Sequence, residues 1–360
     1  MKTPAREVIN SDILTEKSIL ISVMMTSFFT TFIGSSTNLA LPLIGKEFSG
    51  SALVLSWIVT GYILASATFL LPMGRIADIV GRKKIFLLGT AGFTLFTFLC
   101  AISWSNASLI LFRVLQGITA SMIYATGMAI ISSVYPAGQR GKAMGLAVTA
   151  TYIGLSLGPV LGGFICQHLG WRSIFYFTAF VGLASVVFIM IRVRDKTIGA
   201  RGEKFDFAGS MLYMFGLAAL LYGMSSMYST SWAKYILIAG VILMTGFVLL
   251  ESRTPFPLIN LRLFSHNIVF AFSNLAAMIN YSATFAIGFL LSIYLQVIRG
   301  YSPQTAGLVL LAQPVIMALF SSLAGSLSDR IEPRIVASCG MGLNALGLFL
   351  FTLLGTTTPV

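Results

Sequence analysis

Carboxylates are scarce in this 360-residue chain: Asp and Glu number 11, against 23 Lys and Arg. They are Glu7, Asp12, Glu16, Glu47, Asp78, Asp195, Glu203, Asp206, Glu251, Asp329 and Glu332, and none falls in the middle of a long apolar run. A proton relay built on intramembrane Asp or Glu is therefore missing from the residues present. Histidine numbers only 2, and His168 reads as a solvated ring beside an outer loop. Cys100, Cys166 and Cys339 have neither CxxC spacing nor a His cluster nearby, so they read as small buried hydrophobes. No metal site and no cofactor is expected. No GxxxxGK(S/T) loop, HExxH or GxSxG pattern occurs, which argues against an ATP-driven pump or a membrane enzyme.

What the chain has in abundance is apolar length. Apolar residues make up 57% of it and charged ones 9%, and a helix needs about 20 apolar residues to cross a bilayer. Such runs recur at 18–44, 52–73, 85–103, 107–133, 142–166, 173–192, 207–226, 235–250, 267–296, 304–326 and 335–355. The expected fold is all-α, a polytopic helical membrane protein with eleven spans. Alternating ten-residue segments, the mark of a membrane barrel, are absent. The net charge of +12 follows the same topology. With the N-terminus inside, the outer loops hold only Lys46, Arg172, Lys234 and Arg299, Arg113 lies within a span, and every other Lys or Arg is inner. That is the positive-inside asymmetry, which makes the basic excess a topology signal and not a nucleic-acid surface. The partners expected are lipid bilayer and a small molecule, with no nucleic acid. The location expected is the cell membrane, as a monomer with a cytoplasmic N-terminus. Residues 1–17 read as a polar cytoplasmic tail, 18–195 as a first six-helix bundle, 196–266 as a connector with two extra central helices, and 267–360 as an incomplete second bundle. The first span is expected to end at Leu41-Pro42, and Trp104 and Trp171 read as interfacial belt residues.

Four stretches carry the functional expectations. Gly74-Arg-Ile-Ala-Asp78-Ile-Val-Gly81-Arg82-Lys83-Lys84 reads as a tight, charged loop between two spans, with the lone carboxylate Asp78 placed to pair with a cation or a helix end. A weaker copy, Gly325-Ser-Leu-Ser-Asp329-Arg330, stands late in the chain and suggests two related halves. Arg113 is the one clear charge within a span, and Gln116, Gly117, Ala120 and Tyr124 follow it at helical spacing. That stripe reads as the lining of a polar cavity in preference to an arginine snorkelling outward. Gly154, Gly158 and Gly162 form a flat stripe interrupted by Pro159, which suits either a rocking hinge or a plain packing seam. Asn38, Asn274, Asn280, Gln296, Gln313 and Asn344 are uncharged polar groups, each better read as a bond to a neighbouring helix than as a ligand contact.

These stretches, in this order, resemble the major facilitator superfamily, in particular its fourteen-helix drug:proton antiporter branch. Gly74–Lys83 is similar to the signature between helices two and three. Leu111-Phe-Arg113-Val-Leu-Gln116-Gly117 resembles the helix-four motif, and Gly154–Gly163 the antiporter motif of helix five. Phe205-Asp206-Phe-Ala-Gly209 and the segment from Glu251 to Phe264 resemble the flanks of the two extra helices. The resemblance implies alternating access between two halves, with Gly74, Asp78, Gly81, Arg82 and Lys83, and in the second copy Gly325, Asp329 and Arg330, as gating residues. It implies substrate or proton linkage at Arg113, Gln116, Tyr124 and Asn38, inter-half packing at Gly154, Gly158, Pro159 and Gly162, and export of small amphipathic compounds with protons as the coupling ion. The chain departs from the branch in two ways. The acidic residue expected before Asn38-Leu-Ala-Leu-Pro42 is replaced by Ile33, and about three further helices would be expected after Val360. Two alternatives stay open at this stage, a transporter without proton coupling and a shortened membrane protein that binds or scaffolds.

Overall fold

The computed structural model describes residues 4–193, 204–227, 230–301 and 303–353, and among them every regular element is helical. Eleven helices are long and apolar enough to cross a membrane. They are α1 (Pro4–Phe48), α2 (Ala52–Val80), α3 (Arg82–Ala101), α4 (Asn106–Val134), α5 (Ala137–Leu169) and α6 (Arg172–Arg192). After them come α7 (Phe207–Ser226), α8 (Ala233–Glu251), α9 (Ile268–Ile298), α10 (Thr305–Ser328) and α11 (Pro333–Phe351). Arg194, Lys196 and Arg201 of the expected connector, and with them the boundary placed at 195, lie outside the described residues.

Local sequence explains where most helices begin. Orphan N–H groups at a helix start need acceptors, and short polar side chains supply them. Ser51 accepts from the Val54 amide, and Ser105 and Ser108 form a reciprocal capping box at the head of α4. Asp206 and Asn267 accept from the Gly209 and Phe270 amides. Between α2 and α3 the chain turns on Gly81 alone, at φ +118°, a backbone state nearly reserved for glycine. Two sequence expectations fail here. α2 runs on through Gly74 and Asp78 to Val80, where a loop was expected, and α1, which begins at Pro4, continues through Pro42 to Phe48. Proline already has a helical φ and sacrifices one hydrogen bond, which a long apolar helix tolerates in a membrane.

Helices α1 to α6 pack as one bundle, α4 against α2 and α3, and α1 against α5 and α6. Its centre is aromatic and aliphatic, with Phe29, Phe32, Phe86, Phe93, Phe175 and Ile33 all fully buried. α7 and α8 form a hairpin docked on α2. At one end of that dock Tyr222 stacks between Trp57 of α2 and Trp232, with ring centroids 5.6 and 5.9 Å apart. α10 lies along α5, while α9 and α11 pack sparsely and α11 has no buried residue. Cys339 on α11 is accordingly exposed, unlike the buried Cys100 and Cys166. Asn344 of α11 donates to Asn280 of α9 at 2.7 Å, a helix-to-helix bond of the kind expected.

Candidate functional site

Arg113 is fully enclosed, at 0% exposure, between α2, α3 and α4. Its Nε donates to the Ile58 carbonyl at 3.0 Å and its Nη1 to Gln116 Oε1. Its guanidinium carbon lies 4.3 Å from the centre of the Tyr62 ring. Gln116 in turn donates to Thr97 Oγ1, and Thr97 donates to the Phe93 carbonyl at 2.6 Å. The Tyr62 and Tyr124 hydroxyls are 2.8 Å apart, and Thr30 of α1 lies against Tyr124. Taking a cation out of water costs several kcal/mol. Hydrogen bonds from a charged donor return about 1.5–3 kcal/mol each, and a desolvated ring face about 2 kcal/mol. The site therefore balances only when all of these contacts are made. No carboxylate joins it among the described residues.

This corrects the expectation of a cavity-lining arginine. Arg113 is walled in by Tyr62, Gln116 and the α2 backbone, and Tyr124, 41% exposed, is the member of the network that reaches its open side. Spacing along α4 found Gln116 and Tyr124. It had no means of finding Tyr62, Thr97 or the Ile58 carbonyl, which come from other helices. Asn38 is exposed on α1 and takes no part in the network's hydrogen bonds.

The two signature copies behave differently. Asp78 near the end of α2 accepts from Arg82 Nε at the start of α3 at 2.8 Å, and Arg82 Nη1 reaches the Ala129 carbonyl of α4 at 3.2 Å. Gly74 meets only ordinary packing, with Ala125 as its neighbour, and Lys83 is half-exposed. Asp329 instead crosses to the first bundle. Its two carboxylate oxygens accept the Gly141 and Lys142 amides at the start of α5, both at 2.8 Å. Beside it Gly325 and Gly141 touch backbone to backbone, where any Cβ would overlap a carbonyl, and Gly145 packs on Ser321 and Ser322 in the same way. Thr149 and Ser321 exchange a hydroxyl bond at 2.7 Å one turn further along. Arg330 is exposed. The contact between α5 and α10 thus lies on the face that carries the basic segments.

The glycine stripe lies elsewhere than expected. Gly154, Gly158 and Gly162 face Phe28, Thr31, Ser35 and Ser36 of α1, inside one bundle and not across to the other. Ser36 donates to the Gly158 carbonyl at 3.0 Å and Thr31 to the Thr151 carbonyl at 3.0 Å. Missing Cβ atoms let the two backbones approach closely enough for these bonds. Pro159, which lacks an N–H, sits in a single π turn over Gly158–Gly162.

Trp171 is also re-assigned. It is 4% exposed, and its indole donates to Glu47 at 2.8 Å. Arg172 pairs with Glu47 at 2.6 Å and donates to the Ser103 carbonyl at 2.9 Å, tying the ends of α1 and α3 to the start of α6. Trp104 packs edge-on against Phe112 and is 71% exposed. Glu47 and Arg172 were each visible as loop charges, but their pairing across more than a hundred residues was not.

The sequence profile of the Major Facilitator Superfamily matches residues 23–273 and 273–360. This chain belongs to the Major Facilitator Superfamily. The riboflavin transporter RibZ of Clostridioides difficile is 32% identical to it over 343 residues, 95% of this chain and 74% of that protein. The multidrug resistance protein Stp of Mycobacterium tuberculosis is 32% identical over 320 residues, 87% of this chain and 59% of that protein. The tetracenomycin C resistance and export protein of Streptomyces glaucescens is 28% identical over 336 residues, 92% and 62%. The chain thus spans about three fifths to three quarters of the curated relatives it matches. Among solved structures, the proton:xylose symporter XylE superposes with a TM-score of 0.56 at 13% identity, covering 86% of this chain and 68% of XylE, which shows the superfamily fold. The chain is a multi-pass membrane protein of a transporter family.

Proposed function

We propose that this superfamily member exports small amphipathic compounds by alternating access, with the α5–α10 contact as the gate on the basic face. One observation carries the reading. A carboxylate of one half accepts two backbone amides from the early turns of a helix of the other, beside glycines that let the backbones touch. Such a seam is specific when closed and costs few bonds to open, which suits a rocking mechanism. The substrate class is suggested by the resistance proteins among the relatives. Arg113 does not touch the substrate in this reading. It sets the field around Tyr124, which does. Dye accumulation in efflux-deficient cells expressing the chain tests the proposal: the parent chain lowers accumulation, and Asp329→Asn abolishes the effect at unchanged expression. Equal export by the variant removes the gate, and no export by the parent chain removes the function.

A second reading, transport without proton coupling, is favoured by one specific feature. Ile33 is fully buried in α1, and the Arg113 network is neutral apart from Arg113 itself. A protonophore added to the same cells separates the two. Export that survives collapse of the pH gradient supports the uncoupled reading.

A further inference from the structure

Two phenols stand between Arg113 and the open side, and their hydroxyls share one hydrogen bond of 2.8 Å. One hydroxyl donates in it, and the other keeps its proton for a further partner. Burial decides which. Tyr62 is 6% exposed and Tyr124 41%. A buried donor left without an acceptor is costly, and the acceptor that Tyr62 finds is the Tyr124 oxygen. Tyr62 therefore donates to Tyr124, and the Tyr124 O–H is left for whatever enters from the open side. Behind the pair stands a full positive charge. The Arg113 guanidinium lies 4.3 Å from the centre of the Tyr62 ring, and its own hydrogen-bond partners, the Ile58 carbonyl and Gln116, are neutral. Arg113 is the charged group that acts on both phenols. A cation at one end of a bonded chain strengthens the donor at the other.

Nothing of opposite sign offsets that charge. Tyr124 is set deep in α4, which runs from Asn106 to Val134, about 27 Å from one end and about 15 Å from the other at 1.5 Å per residue. None of the 11 carboxylates falls in the middle of a long apolar run. Glu47 of α1 and Asp78 of α2 sit at helix ends, already paired with Arg172 and Arg82. A cation beside Tyr124 would therefore meet uncompensated repulsion in a medium of low dielectric. An anion meets a hydrogen-bond donor with a positive charge behind it. We propose that the compound taken at Tyr124 is an organic anion, an apolar body whose carboxylate or phenolate oxygen accepts the Tyr124 O–H under the field of Arg113. This rests on the export reading above and narrows its amphipathic compounds to one sign of charge.

Fluorescein and rhodamine 123 share one fused ring system and carry opposite charges at neutral pH, so the pair isolates charge from shape. Their binding to the purified full chain is followed by fluorescence anisotropy. Fluorescein is expected to bind about tenfold or more tightly than rhodamine 123. Tyr124→Phe is expected to weaken fluorescein about tenfold, the loss of a hydrogen bond to a charged acceptor, and to leave rhodamine 123 unchanged. Absence of fluorescein binding, rhodamine 123 binding as tightly, or fluorescein binding untouched by Tyr124→Phe each overturns the proposal. In Arg113→Gln the two dyes are expected to bind alike, and a preference that survives there overturns Arg113 as its source. If that variant is not recovered folded, Tyr124→Phe decides alone. Accumulation of the same dyes in efflux-deficient cells tells this failure from failure of the export reading. Fluorescein bound but not exported removes export and supports the charge selection. Export of rhodamine 123 in preference to fluorescein keeps export and overturns the charge selection.

Discussion

At Arg113 the cost of burying a cation is met entirely by neutral groups: a backbone carbonyl, an amide oxygen and an aromatic face. Each contact is close to necessary, because a buried charge short of one acceptor has no water to turn to. Gln116→Leu removes the side-chain acceptor at nearly constant volume. It is expected to lower the stability of the purified protein by about 1–3 kcal/mol, the cost of leaving such a group unmet. Tyr124→Phe removes only the outer hydroxyl of the network, which touches Tyr62 and not Arg113. Its effect is expected to be smaller, and thermal midpoints of the two variants in the same detergent check the order. If the Tyr124 variant is the less stable one, the neutral-partner account of Arg113 is wrong.

Among the elements, α5 makes two different contacts with two different glycine sets. Its first half uses Gly141 and Gly145 to meet α10, and its second half uses Gly154, Gly158 and Gly162 to meet α1. A methyl group at Gly154 would overlap the Phe28 carbonyl, which is backbone and cannot rotate away, whereas one at Gly163 would find Leu39 at an ordinary 3.5 Å. Gly154→Ala is therefore expected to cost about 1–3 kcal/mol through forced separation of α1 and α5, and Gly163→Ala is expected to be close to neutral. Thermal unfolding of the two variants makes the comparison. The spacing at 154, 158 and 162 announced a close helix contact, and one exists. The partner helix was not written in the spacing, since a smooth face accepts any neighbour.

For the molecule as a whole, the proposed cycle depends on the contact between α5 and α10 on the basic face. The Thr149 and Ser321 hydroxyls, 2.7 Å apart, mark a site where two cysteines would be bridged. The double variant Thr149→Cys with Ser321→Cys is expected to form a disulfide under mild oxidation and to stop dye export, with recovery on reduction. Failure to cross-link contradicts the seam. Cross-linking with undiminished export leaves the seam standing and contradicts its role as a gate.

Sequence by itself determined the number of spans, their approximate limits and most helix starts, because apolar length and capping are local properties, but it read a loop at 74–84 where the structure has helix up to a turn at Gly81. It also brought the helix-four residues to one face. What only the tertiary structure decided is which side chain meets which: Tyr62 beneath Arg113, Glu47 with Trp171 and Arg172, Asp329 on the α5 amides. The reason is physical. In a soluble helix the polar face marks the outside, but a helix in a bilayer is surrounded by apolar matter on both its lipid and its protein sides. Hydropathy then fixes how far a span runs and says almost nothing about how it is rotated, so each of these partners depended on helix rotation that packing alone sets.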